Sequence, residues 1–86
     1  MNMKKIIRQY IMENLLFTED ESVLQDSDSF LDGGIIDSTG VMEIILFTEE
    51  TFGIKINDSE MLPANLDSVD KLAAFIQRKQ AQAVAA

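Results

Sequence analysis

Ser38 is the residue in this chain best placed to do chemistry. It stands in Asp37-Ser38-Thr39-Gly40, where a long polar segment gives way to the most apolar helical run, Val41 to Phe52. Asp37 is a good N-cap, since its carboxylate accepts from first-turn N–H groups that have no partner inside a helix. Ser38 then becomes the first helical residue, beside the positive end of the helix dipole, where a phosphate is favoured over a neutral group. Gly33 and Gly34, just upstream, let the backbone turn sharply and keep side chains away from the approach to the serine. An ordinary helix start has the same Asp-Ser opening, so these residues alone leave both a modified and a purely structural serine open.

Several uses of a serine are excluded by composition. The 86 residues hold no histidine and no cysteine. A Ser-His-Asp triad, a catalytic thiol, disulfides and thiolate metal sites therefore fall away. A nucleophile elbow needs glycine two residues before the serine, and Ile36 stands there. An aspartic-protease dyad needs a second carboxylate in a β-rich frame. A calcium loop started at Asp26 puts Leu31 where glycine is required, and one started at Asp28 puts Phe30 and Thr39 at ligand positions.

Around the serine, the elements read as helical. Met3, Ile6, Ile7, Tyr10, Ile11, Asn14 and Leu15 recur at spacings of three and four, which predicts an amphipathic helix over 3–16 with Lys4, Lys5, Arg8 and Glu13 on its wet side. Residues 17–36 have no sustained period. Their apolar pairs Val23-Leu24, Phe30-Leu31 and Ile35-Ile36 would pin a loop of unusual length over one end of a bundle, with a helical turn near Asp20 to Leu24. The central helix, 38–52, has Val41, Ile44, Ile45, Thr48 and Phe52 facing inward and Glu43, Glu49 and Glu50 facing water. Met42 and Leu46 follow Ser38 at one-turn intervals, giving either a docking strip edged by glutamates or a broader core. Gly53 ends the helix.

Pro63 restricts any helix near it to a short one, and Asp67 or Ser68 caps a last helix carrying Val69, Leu72, Ala73, Phe75 and Ile76 to about Lys79. The expectation is an all-α four-helix bundle, three longer helices and one short, with a long loop between the first two. The domain covers 1–79 and a frayed tail 80–86.

The formal net charge of -8 is unevenly placed: every acidic residue lies between Glu13 and Asp70, with Lys55 the only base among them. Such a surface repels nucleic acid and anionic lipid and attracts proteins with basic patches. No signal peptide or membrane span is read, and a cytoplasmic monomer is expected.

Over nearly its whole length, from the first helix to Ile76, the pattern resembles the acyl carrier protein family, including relatives that carry aminoacyl or peptidyl groups. The resemblance rests on Phe30-Leu31-Asp32, Gly34, Asp37-Ser38, Glu43 and Glu49-Glu50 ahead of Phe52-Gly53-Ile54, and Ser68-Val69 with Leu72. It implies that a phosphopantetheinyl transferase attaches 4'-phosphopantetheine to Ser38, and that the thiol of that arm holds a carboxylic acid as a thioester. The chain would be a carrier, not a catalyst. Asp37 would help position the transferase's metal and substrate, and Thr39, Met42, Glu43, Leu46, Glu49 and Glu50 would meet partners. Those partners are an acyl- or aminoacyl-loading ligase and downstream transferases or synthases with basic docking patches.

Two features depart from fatty-acid carriers. Thr39 and Gly40 stand where those have leucine and an acidic residue, and the glycine pair before Ile35-Ile36 resembles peptidyl carriers. Both point to a dedicated carrier in a specialised lipid, cell-surface or secondary-metabolite pathway. The wide apolar surface of the central helix leaves room for an internal pocket. The rival reading is an acidic helical interaction module that is never modified.

Overall fold

The computed structural model describes residues 2–85, with side chains to residue 82. Its order is α1 (Met3–Ile11), a π-helical turn (Met12–Leu16), a 3-10 turn (Glu21–Val23), α2 (Ser38–Phe52), a second 3-10 turn (Asp58–Glu60), α3 (Pro63–Leu66) and α4 (Val69–Ala85). The chain is all-helical, as its periodicity predicts.

Asn2 caps α1, its side chain accepting from Lys5 N–H at 3.3 Å. Ile7 and Ile11 are fully buried from this helix. The π-helical turn widens the end of α1 and is closed by Phe17, which sits at φ 52 in the left-handed region and lies exposed. Sequence periodicity places Asn14 on the apolar stripe, but the residue is exposed. Its amide donates back to Tyr10 C=O at 3.0 Å, a bond that an amide makes readily at a surface.

Residues 17–36 form no long helix, and the expected turn near Asp20 is present as the 3-10 turn Glu21–Val23. One residue of each apolar pair is the pin: Leu24, Phe30 and Ile36 are buried, whereas Val23 and Leu31 are exposed and Ile35 is half-buried. Arg8 does not point to water as its helix position suggests. Its side chain is only 16% exposed, and its guanidinium donates to Leu24 C=O at 2.5 Å, Asp26 Oδ1 at 3.0 Å and Glu21 C=O at 3.1 Å. An arginine has five N–H donors, and loop carbonyls that no helix satisfies are its natural acceptors.

The far end of the loop is tied to the start of α4. Phe30 N–H donates to Asp67 C=O at 2.8 Å, and Asp70 N–H donates to Asp26 C=O at 2.9 Å. Gly33 approaches the Ser29 carbonyl so closely that a Cβ there would lie 2.9 Å from it, and Gly34 takes φ +65. This tight turn delivers the chain to α2.

The core is one cluster in which Ile44 and Ile45 of α2 meet Ile7 and Ile11, the three loop pins, Ile56, Leu66 and the inner face of α4. Gly53, at φ 66, terminates α2 as expected. Pro63 opens α3 at its first position, where its missing N–H costs no helical bond. Ser68 rather than Asp67 caps α4, its Oγ accepting from Lys71 N–H at 3.1 Å. Helix α4 runs past Lys79 to Ala85, and the rest of the expected frayed tail lies outside the described residues.

Candidate functional site

The start of α2 is built as the sequence suggests. Asp37 is extended, at φ -86 and ψ -179, and its Oδ1 accepts from Gly40 N–H at 2.8 Å. Its carbonyl accepts from Val41 N–H at 3.0 Å, the first helical bond. Ser38 is exposed in the first turn, with Thr39 exposed beside it. Gly40 is buried against Ile36, and a Cβ at Gly40 would overlap Ile36 Cγ2. The acidic residue that fatty-acid carriers place at this position is thus incompatible with this packing.

Ser38 also lies on the lip of a groove of about 280 Å³ between α2 and α3. One wall is Val41, Met42 and Ile45; the other is Met61, Leu62 and Leu66. Of the lining residues only Ser38 and Asp67 are polar, so the groove is an apolar trough leading away from the serine. The apolar space beside α2 is therefore a groove starting at Ser38. The α3 wall has no helical period to announce it in the sequence; its one signal is Pro63, which fixes where the short helix begins.

Met42 and Leu46 are 52% and 57% exposed, which favours the strip over the broad core. Glu43 and Glu50 are exposed on the same helix. Glu49 was expected to face water, but it is half-buried and its Oε2 accepts from Ile56 N–H at 2.9 Å, tying down the chain after α2. Beside the strip, Tyr10 stacks on Phe47 with ring centroids 4.0 Å apart. Burial chiefly, then the charges of Glu43 and Glu50, raise the Tyr10 phenol above its ordinary value.

The α3 wall is held from behind. Lys79 Nζ reaches Glu60 Oε1 at 2.8 Å, Asn65 donates to Glu60 C=O at 2.9 Å, and Arg78 donates to Asn65 Oδ1 at 3.1 Å. The Lys79 ammonium, followed by the Asn57 N–H, holds the Glu60 carboxyl below the usual glutamate range.

These features fit a phosphorylated arm. The hydroxyl is open to solvent, the helix N-terminus favours the phosphate, and the adjoining trough offers apolar surface to what the arm bears.

Comparison with known proteins gives the same picture. Residues 5–76 match the family model described as phosphopantetheine attachment site. D-alanyl carrier proteins of Streptococcus pyogenes serotype M5 (strain Manfredo) and serotype M1 are each 38% identical over 65 residues, covering 76% of this chain and 81% of theirs. A holo acyl carrier protein from Nitrosomonas europaea superposes with a TM-score of 0.73 at 26% identity, covering 94% of this chain and 99% of that one.

Proposed function

The chain belongs to the phosphopantetheine-bearing acyl carrier protein family, and we propose that Ser38 is the residue that holds the arm. The observation that carries this is the placement of Ser38: an exposed hydroxyl, in the first turn of a capped helix, on the lip of the apolar groove. The Ser38 oxygen gives up its proton and bonds to the phosphorus of coenzyme A's pantetheine phosphate, and adenosine 3',5'-bisphosphate leaves. The arm then supplies the thiol that this cysteine-free chain lacks.

Asp37 has one role in the fold, with Oδ1 on Gly40 N–H, and its exposed side chain leaves Oδ2 to the transferase and its metal. Glu43 and Glu50 attract basic partners, with Met42 and Leu46 as the apolar contact, a combination that speeds encounter and allows release. Thr39 lies inside that footprint, and Glu49 borders it.

The cargo is a small amino-bearing carboxylic acid, loaded by an adenylate-forming ligase and passed to a downstream transferase. Its support is the likeness to D-alanyl carrier proteins and the modest size of the groove, which falls below the ~300–1,000 Å³ of drug-sized sites. The chain acts as a substrate of these enzymes and not as a catalyst. No helix among the described residues is long and apolar enough to cross a membrane, and the cytoplasm, where coenzyme A is available, is the proposed location.

Intact mass after incubation with a broad-specificity phosphopantetheinyl transferase, coenzyme A and magnesium tests the assignment. The parent gains one phosphopantetheine and Ser38→Ala gains none. A folded parent that gains nothing would turn the reading to an unmodified interaction module.

A further inference from the structure

Of the residues that line the groove beginning at Ser38, Asp67 is the one that carries a charge. Asp67 is only 7% exposed, although carboxylates are rarely buried without a counter-ion. Its partners are neutral: Ser29 Oγ donates to Oδ2, and Leu31 N–H donates to Oδ1 at 3.1 Å. None of the ion pairs among the described residues includes it; Lys4 is on Asp70, Arg8 on Glu21 and Asp26, and Lys79 on Glu60. Two hydrogen bonds leave acceptor capacity on a carboxylate, which has about four lone-pair sites.

We propose that Asp67 is the cargo-recognition residue of this carrier, receiving the ammonium group of a short aminoacyl cargo that folds back from Ser38 into the groove. The proposal rests on Ser38 as the attachment residue. A buried carboxylate with neutral donors only, in an otherwise apolar trough, is complementary to a group that is cationic at one end and aliphatic beside it. Val41, Ile45 and Leu66 take the aliphatic part, and Asp67 takes the charge. An uncharged acyl group of the same size gains the apolar contact and leaves the carboxylate without its counter-ion. A long acyl chain outgrows the space.

Asp67 is thereby a positioning residue with two roles. It holds the loop through Leu31 and Ser29, and it reports what lies in the groove, because any cation on its carboxylate polarises the Leu31 N–H bond. That coupling supplies a readout independent of downstream activity.

The test loads Ser38 with alanyl- or propionyl-phosphopantetheine through amide-linked coenzyme A analogues, which resist hydrolysis, and confirms each load by intact mass. The two cargoes differ by the amine. Backbone amide NMR of the alanyl form should move the Leu31 resonance about twofold further than the propionyl form does, since a hydrogen bond with an ionised partner is about twice as strong as a neutral one and the propionyl cargo brings no ammonium to the carboxylate. Asp67→Asn retains an oxygen for Leu31 and removes the charge. In this variant the alanyl effect should fall to the propionyl level while Ser38 still accepts the arm.

Equal shifts for the two cargoes in the parent would overturn the proposal, as would an alanyl effect that survives Asp67→Asn. Should that variant fail to fold, the parent comparison decides alone. A Leu31 shift that appears only when the loading ligase is added would assign Asp67 to a partner's cation and overturn it equally. Absence of any arm on Ser38 is a different failure, visible by mass before any spectrum is recorded, and it removes the attachment assignment itself.

Discussion

Gly40 packs so closely on Ile36 that the first turn of α2 has no room for a side chain at that position. Replacing a helical glycine by alanine ordinarily gains about 1 kcal/mol, whereas overpacking a filled site costs about 1–3 kcal/mol. Ile36 is 5% exposed and cannot swing into solvent. Gly40→Ala should therefore lose up to about 2 kcal/mol in urea unfolding. In an Ile36→Ala background, where the opposing methyl is gone, the same substitution should become neutral or stabilising. The double-mutant cycle checks this; an equal loss in both backgrounds would locate the cost elsewhere.

Asp37 tests the capping half of the site. Oδ1 satisfies Gly40 N–H, so Asp37→Ala should cost about 1 kcal/mol and Asp37→Asn, which keeps an oxygen, only a few tenths. If Asp37 also serves the transferase, Asp37→Asn should slow arm uptake at Ser38 despite near-normal stability. Denaturation and uptake rate measured on the same samples separate the two roles.

How far this was legible in the sequence follows from how local each determinant is. The start at Ser38, its Asp37 cap and the stop at Gly53 depend on neighbours within one turn, and all three lie where the residue types put them. Period alone could not assign Met42 and Leu46, because their exposure depends on where other helices sit: α3 across the groove from Met42, and the end of α1 with its π-helical turn beside Leu46. Nor could it assign Arg8, Glu49 or Asp67. Each looks like a surface charge or helix cap in its own window and instead satisfies backbone groups distant in the sequence: Leu24 C=O, Ile56 N–H and Leu31 N–H respectively. A loop with no ladder of its own needs such partners, but sequence spacing does not say which charges will supply them.

Arg8 makes that point measurable. Its guanidinium holds two loop carbonyls and Asp26 from a largely buried position, and a hydrogen bond to a charged group contributes about 1.5–3 kcal/mol net of the water it replaces, contributions that do not simply add. Arg8→Met keeps much of the aliphatic stem and removes the donors. It should lower global stability by about 2 kcal/mol and raise amide exchange in residues 17–36 more than in α4. Uniform acceleration across both regions would show that the loop has no separate opening.

Glu60 and Lys79 predict an acid-sensitive groove wall. The Lys79 ammonium hydrogen-bonds to the Glu60 carboxylate and lowers its pKa from the ordinary 4.5. A carboxyl whose folded pKa is depressed contributes stability above its unfolded value and loses that contribution as the pH falls through the folded one. The pair fastens the 3-10 turn ahead of α3 to α4, so protonating Glu60 should loosen Met61, Leu62 and Leu66, the wall facing Ser38. Glu60→Gln lacks the titrating group. The parent should melt at higher temperature than Glu60→Gln near neutral pH, and the gap should close as the pH falls below 4.5, the other carboxylates cancelling because both proteins carry them. A gap that stays constant through that range would mean that Glu60 acts by shape and not by charge.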